Sequence, residues 1–264
     1  MKIYSWNMLY RNKEQDRALD FITRADFDIF CLQEVPERFL KRLQTLKCSI
    51  AFRTDVERLL PEGTVHNYIV ILSKYPIESQ NEISFPDYWP LLPLHTRLFV
   101  NLMPSRFFSR IRNRGGLYAD IRIPGLSRAV RVFNLHLILA QPEWRLKEFE
   151  TAMAERDPSQ PTIVCGDFNT IQSPRTSILN WILGGRVGDA LLYNRERTHI
   201  EKRFVEYKLT NALAGGITHP FSRSQLDHIL VSHSFSIKSA SILPDRIGSD
   251  HNPISIEVKN EVFT

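Results

Sequence analysis

Short apolar runs that each end in a polar residue recur along the chain. Residues 2–6 lead into Asn7, 28–32 into Gln33-Glu34, 131–135 into His136, and 161–165 into Gly166-Asp167. Runs of this length, rich in branched and aromatic residues, predict strands. Further runs at 68–72, 96–102, 117–123, 226–231 and 253–258 bring the set to about nine. A spacing of three and four residues marks helices instead: Ala18, Leu19, Ile22 and Ala25, then Phe39, Leu40, Leu43 and Leu46 behind Pro36. Leu146, Phe149 and Met153 repeat it behind Pro142, and Ile178, Leu179 and Ile182 repeat it ahead of Gly184-Gly185, which fit a helix stop. Each such helix follows a strand that ended in a polar residue. The interleaving predicts a mixed α/β fold, and with no Gly/Ser linker or internal repeat, residues 1–264 read as one domain. Residues 193–208 are charged and specify no element.

In a sheet that contains antiparallel neighbours, the exit of one strand lies beside the entry of the next. Asn7, Glu34, His136, Asp167 and Asn169 are exit residues. Asp227 and the Ser249-Asp250-His251 group stand at entries. All can therefore share one rim. Their types are coherent: four carboxylates, two amides and two imidazoles, and hard oxygen ligands of this kind suit Mg²⁺ or Mn²⁺. Taken singly, Gly166-Asp167-Phe168-Asn169 is an ordinary turn and Glu34 a strand-end charge. Joint occurrence at strand ends is what points to chemistry.

Composition changes this picture little. Of the 264 residues 43% are apolar, enough for a substantial core, and 34 Lys+Arg against 29 Asp+Glu leave a net charge of +5, compatible with a polyanionic partner. Cys31, Cys48 and Cys165 are odd in number and widely spaced, so they predict reduced thiols and neither a disulfide framework nor a zinc site. The first residues read as a strand, not a signal peptide, and no run reaches the roughly 18 apolar residues of a membrane span. A cytoplasmic, monomeric protein is the expectation.

The series Trp6-Asn7, Leu32-Gln33-Glu34, Asn134-Leu135-His136-Leu137, Gly166-Asp167-Phe168-Asn169, Gln225-Leu226-Asp227-His228 and Gly248-Ser249-Asp250-His251-Asn252-Pro253 resembles the endonuclease/exonuclease/phosphatase superfamily over about residues 2–258. The resemblance implies a four-layer α/β/β/α sandwich with two mixed β-sheets packed face to face. By motif match it makes Glu34 the principal metal ligand, assisted by Asn7 and, at an alternative site, Asp250. Asp167 and Asn169 become the pair that orients attacking water and phosphate, and His251 works with Asp227 as its carboxylate partner. His136 resembles the second histidine of the deoxyribonuclease and sphingomyelinase branches; its acidic partner has no place in the sequence pattern.

The implied reaction is a Mg²⁺-dependent, or Mn²⁺-dependent, in-line displacement at a phosphodiester by water. The abasic-site endonuclease branch is disfavoured, because Asn134-Leu135-His136 stands where that branch carries a tyrosine segment and Val35-Pro36 where it carries a lysine. Substrate must be read from loops. Arg106, Arg110, Arg112 and Arg114 alternate with Phe107 and Phe108 in a way that suits phosphate gripping and base stacking, which favours DNA or RNA. Trp89-Pro90-Leu91-Leu92-Pro93-Leu94 is apolar enough to touch a membrane lipid, so a sphingomyelin-type or phosphoinositide-type substrate is the alternative. An inert binding scaffold is the reading from another class; the full set of candidate ligands speaks against it.

Overall fold

The structure is a computed structural model that describes residues 1–104, 109–139, 141–171, 173–191 and 194–260. In chain order the elements are β1 (Lys2–Asn7), α1 (Gln15–Arg24), β2 (Ile29–Pro36), α2 (Glu37–Leu43), β3 (Ser49–Leu60), β4 (Gly63–Ser73) and β5 (Ile77–Ser84). A 3-10 turn (Trp89–Leu91) then leads to α3 (Leu94–Leu102), β6 (Arg110–Arg112), β7 (Gly115–Ile121), β8 (Val130–His136), α4 (Pro142–Ala154) and β9 (Thr162–Asp167). The rest is α5 (Pro174–Ile182), α6 (Val187–Leu191), α7 (Asn194–Glu206), β10 (Leu209–Asn211), β11 (Asp227–Ser232), β12 (Phe235–Ile242) and β13 (Ile254–Asn260).

Two mixed sheets result, ordered β12-β13-β1-β2-β4-β3-β6 and β10-β11-β9-β8-β7-β5. Successive side chains of a strand point to opposite faces, and the central strands are apolar on both. Ile29 and Cys31 face the second sheet, where they join Ile3, Val132, Ile163 and Ile229 in the core between the sheets. Phe30 and Leu32 face outward and are covered with Ala18 and Ile22 of α1 and Phe39 of α2. On the far side Val164 and Phe133 meet Phe149 of α4 and Phe204 of α7. The stack is therefore the four-layer sandwich expected, and among the described residues no helix is long and apolar enough to cross a membrane.

Two segments depart from their sequence reading. Residues 96–102, expected as a strand, form most of α3, which begins directly after Pro93. Its leucines at 94, 98 and 102 recur every fourth residue, a period that a short apolar run hides. Residues 194–206, which specified nothing, form α7 by burying Ile200 and Phe204 on the second sheet.

Two bulges matter for function. The β2–β4 register slips between Leu32 and Val35, and Glu34 sits there at φ +54°. The β3–β4 register slips between Thr54 and Val56, leaving Asp55 on the extra position. A bulge re-aims a side chain that regular pleating would send elsewhere.

Candidate active site

Three strands of the second sheet end in one row. His136 is the partner of Asp167 across the parallel β8–β9 pair, and Asp227 is the partner of Asp167 across the antiparallel β9–β11 pair. Directly opposed residues share a face, so an imidazole and two carboxylates stand side by side. The two strands can approach this closely because Gly166, at φ +140°, lacks a side chain: a Cβ there would lie 1.8 Å from the Leu135 carbonyl oxygen. From the first sheet, Asn7 donates through Nδ2 to Asp167 Oδ2 at 3.0 Å. Just below, Gln33 donates to Asn134 Oδ1 at 2.6 Å, and Asn134 donates to the carbonyls of Leu32 and Val70, fastening one sheet to the other under the rim.

Asp167 Oδ2 is the focus of the site. Besides Asn7, it has His136 Nε2 at 3.9 Å and His251 Nε2 at 3.7 Å. Its Oδ1 accepts the Asn169 backbone N–H at 2.8 Å, and Asn169, at φ +53°, donates its own amide to the Leu137 carbonyl. The His251 Nδ1 contacts Asp227 Oδ2 at 2.8 Å, which turns Nε2 toward Asp167. Ser249 holds the loop in place, donating to the Asn7 carbonyl and accepting the His251 N–H.

The acidic partner of His136, which had no place in the sequence pattern, is Asp55. Its Oδ2 lies 2.7 Å from His136 Nδ1, and the carboxylate is fully enclosed. The two histidines are thus built alike: a buried carboxylate behind Nδ1, and Nε2 aimed at Asp167. Burial works against a charged ring in both, but the carboxylates outweigh it. Asp55, with Asp167 and Glu34 behind it, raises His136 to about 9, and Asp227 with Asp167 raises His251 to about 10. Burial also pushes Asp167 itself upward.

Glu34 lies on the other side of His136, with Oε1 3.9 Å from Nε2; its Oε2 accepts the Tyr10 N–H at 3.2 Å, and Arg58 stands 3.5 Å from Oε1. The Arg58 guanidinium also covers the Tyr10 ring at 4.3 Å, and Arg11 flanks the same ring at 4.9 Å. Asp250 lies at the opposite flank, 4.0 Å from His251 Nε2 and 3.7 Å from His219 Nε2. Its carboxyl is held down at about 2: burial opposes this, and the His219 and His251 imidazoles prevail.

His219 is a second residue that the strand-end pattern missed, since it stands in the turn before β11. The Ser222 N–H donates to its Nδ1 at 3.2 Å, which leaves Nε2 facing Asp250. The same turn exposes Phe221, 79% accessible, with its ring 6.2 Å from that of His219.

The donor set fits a hard cation. Asp227 Oδ1 and Asp250 Oδ1 are buried oxygens with no hydrogen-bond partner. Among the described residues, ligand atoms of Asp167, Asp227 and His251, and of His219, Asp250 and His251, lie within 4.8 Å of one another. The first set is mostly carboxylate oxygen and the second mostly imidazole, and the orphaned carboxylate oxygen in each is what a divalent cation relieves.

Among the described residues, the arginines of the series have separate partners. Arg114 is buried, paired with Glu148 and donating to the His136 carbonyl at 2.8 Å, so its expected role at the substrate gives way to a structural one. Arg112 bonds Glu57 at 2.6 Å on the edge strand β6, and Arg110 covers the Trp89 ring at 5.4 Å. Arg106 lies outside the described residues.

The chain matches the model of the Endonuclease/Exonuclease/phosphatase family over residues 4–251. No curated protein matches it by sequence. Among solved structures it is similar to an endonuclease/exonuclease/phosphatase from Beutenbergia cavernae DSM 12333, with TM-score 0.67 and 18% identity, covering 98% of this chain and 71% of that one. It is similar also to the mannosyl-6-phosphatase of Bacteroides thetaiotaomicron VPI-5482, with TM-score 0.61, 18% identity and 98% and 99% coverage. The 3' phosphatase NExo from Neisseria, bound to a product DNA hairpin, gives TM-score 0.59, 16% identity and 98% and 99% coverage. Members of the matched family are phosphoric ester hydrolases that typically use divalent metals. With its sandwich, its rim of carboxylates and histidines, and a match spanning nearly the whole chain, this protein belongs to the endonuclease/exonuclease/phosphatase family.

Proposed function

We propose that the chain is a Mg²⁺-dependent phosphodiesterase, with Mn²⁺ as a substitute, that cleaves nucleic-acid strands by in-line attack of water. The observation that carries this is the convergence of Asn7, His136 and His251 on Asp167 Oδ2, between Glu34 on one flank and Asp250 on the other. Glu34 with Asn7, or alternatively Asp250, would hold the cation. A cation bound there would neutralise phosphate oxygens and acidify a coordinated water.

The protein's own groups divide the remaining work. Two imidazoles with buried carboxylates behind them present Nε2–H to a phosphate's nonbridging or leaving oxygen, where fixed charge is worth most. Asp227, accepting from Nδ1–H, holds His251 as the imidazolium that does this, and Asp55 does the same for His136. Asp167, held by Asn7 and by the Asn169 N–H, orients the attacking water and receives its proton, which burial favours by pushing the carboxyl upward. Asn169 fixes the turn that aims it.

A strand substrate is supported by the surfaces beside the rim. Tyr10 between Arg58 and Arg11 lies next to Glu34, and exposed Phe221 lies next to His219 and Asp250. Arginines on a ring at one flank and an exposed ring at the other suit phosphates alternating with bases. The free thiols Cys31, Cys48 and Cys165 support a reducing, cytoplasmic setting.

The test is a panel of plasmid DNA, single-stranded DNA, RNA, sphingomyelin and inositol phosphates, each with Mg²⁺, Mn²⁺ or chelator, and Glu34→Gln as blank. Metal-dependent cleavage of a nucleic acid, lost in the blank, is expected. Turnover of lipid alone would replace the substrate; equal turnover by the blank and by His251→Ala would sink the mechanism.

A further inference from the structure

An amphipathic helix normally hides its apolar stripe; α3 shows its own to solvent. Leu94, Leu98 and Leu102, one turn apart, are 65%, 51% and 81% accessible, and Leu91 just before them is equally open. Its buried residue is Thr96, which donates to the Ile182 carbonyl at 2.9 Å; Phe99 and Val100 are half-buried, and exposed His95 stacks on Trp181 at 5.4 Å. On α5, which α3 meets through His95 and Trp181, the side chains of Ile178 and Trp181 are exposed as well, so apolar side chains are open on both elements. A patch of that kind on a folded domain marks an interaction surface.

Charge narrows the partner. Residues 88–119 contain five arginines and no aspartate or glutamate. Arg112 and Arg114 are neutralised by Glu57 and Glu148, but among the described residues no carboxylate pairs with Arg97, within α3, or with Arg110, which lies over Trp89 at the ridge's foot. Leucines and a tryptophan beside unpaired arginines suit the boundary of an anionic bilayer, where apolar side chains enter the acyl region and guanidinium groups meet headgroups. A protein groove would accept the leucines equally but gives no account of a stretch this long without one acid.

Position adds a consequence. The ridge rises beside the catalytic rim: β6, next to the Trp89–Leu91 turn, pairs with β3 at Glu57–Leu59, and Arg58 between them reaches Glu34. Tyr88 at the ridge's base stacks at 4.1 Å on Trp144 of α4, the helix that follows His136. We infer that α3 and the preceding turn dock the protein peripherally on an anionic membrane surface, with the rim facing along that surface. This goes beyond the proposed phosphodiesterase reading and is independent of which phosphodiester is cleaved.

The test is sedimentation of the full chain, without metal or substrate, with phosphatidylcholine vesicles and with vesicles carrying roughly a third phosphatidylserine. Binding to the anionic vesicles is expected, weakened by salt and by Arg97→Gln with Arg110→Gln, and at least ~30-fold weaker for Leu94→Gln, Leu98→Gln and Leu102→Gln together. Circular dichroism should be unchanged, since these leucines support no core. Wild type that stays in the supernatant with both vesicles would overturn the inference, as would vesicle binding that the triple variant retains. So would a wild-type dimer without vesicle binding that the triple variant converts to monomer, which would give the ridge to a second copy of the chain. None of these outcomes bears on metal-dependent hydrolysis, which is read separately.

Discussion

Replacing Arg114 by methionine separates a structural arginine from a substrate-gripping one. Its guanidinium is buried against Glu148, whose side chain is fully enclosed, and its other arm donates to the His136 carbonyl at 2.8 Å. Glu148 Oε2 in turn accepts the Ile138 N–H at 2.8 Å, so this pair clamps the backbone on both sides of Leu137. Arg114→Met keeps most of the volume but leaves the carboxylate with no counter-charge. Breaking a buried pair by removing one partner costs about 3–5 kcal/mol, on the order of 10 °C in melting temperature for a domain of this size. Burial already pushes the Glu148 carboxyl above its ordinary value, with Arg114 opposing; without Arg114 it rises further. A carboxyl whose folded pKa is raised contributes stability below its unfolded value, near 4.5, that is lost as pH rises through the folded value. The deficit should therefore be larger at pH 8 than at pH 5. Urea unfolding followed by tryptophan fluorescence measures it at both pH values, and Arg114→Met with Glu148→Met should recover most of the loss. If Arg114→Met unfolds like wild type at both pH values and loses only nucleic-acid cleavage, the structural assignment is wrong.

Other perturbations reach different parts of the molecule. Asp55→Asn leaves His136 without the charge behind its ring and should lower cleavage about 10²- to 10⁴-fold with an unchanged circular dichroism spectrum; initial rates within threefold of wild type would remove Asp55 from the machinery. His228 is buried between Phe168 and Phe204, and burial lowers its pKa to about 4. The unfolded chain thus binds a proton between about pH 6.5 and 4 that the folded one refuses, and stability should fall by about 3 kcal/mol across that window as pH falls; His228→Phe should flatten that part of the stability profile, and a profile as steep as wild type would assign the proton elsewhere. Gly166→Ala puts a Cβ 1.8 Å from the Leu135 carbonyl at a φ of +140°, so it should force β8 from β9 and cost more than about 3 kcal/mol; a melting temperature within 2 °C of wild type would show that the strands can give way.

Much of the rim is legible because a strand's last residue leaves the pleat just where the sheet stops. Apolar runs that break into Asn7, Glu34, His136 and Asp167 mark that line without any knowledge of strand order, and the order then sets them side by side. Asp55 breaks the rule for a physical reason. It lies in the middle of a 12-residue strand, in the charged stretch Arg53-Thr54-Asp55-Val56-Glu57-Arg58, and reaches the site through a bulge. Nothing in the local pattern separates it from Glu57, which faces outward to Arg112. His219 is hidden differently: its place is set by Thr218, whose hydroxyl accepts the Leu226 and Asp227 N–H groups and whose carbonyl accepts that of Asn252. Those are contacts between turns, and turns carry no periodicity.

The arginines show where composition misleads most. Alternation of arginine with aromatic residues describes a nucleic-acid grip and a satisfied ion-pair edge equally well, and the difference lies in acids far along the chain. Glu57 and Glu148, 55 and 34 residues from Arg112 and Arg114, become neighbours only through the β3–β6 pairing and the packing of α4. The same distance effect runs in reverse for α3. Its leucines resemble a buried strand until the fold is known, and then prove to be the side chains that found no cover. At Arg112 and Arg114 charge that looks free is neutralised, while apolar surface that looks buried is open. Both reversals fall between residues 88 and 119, beside the rim, where the sandwich has already buried what its core requires and the remaining side chains are free to meet something outside the protein.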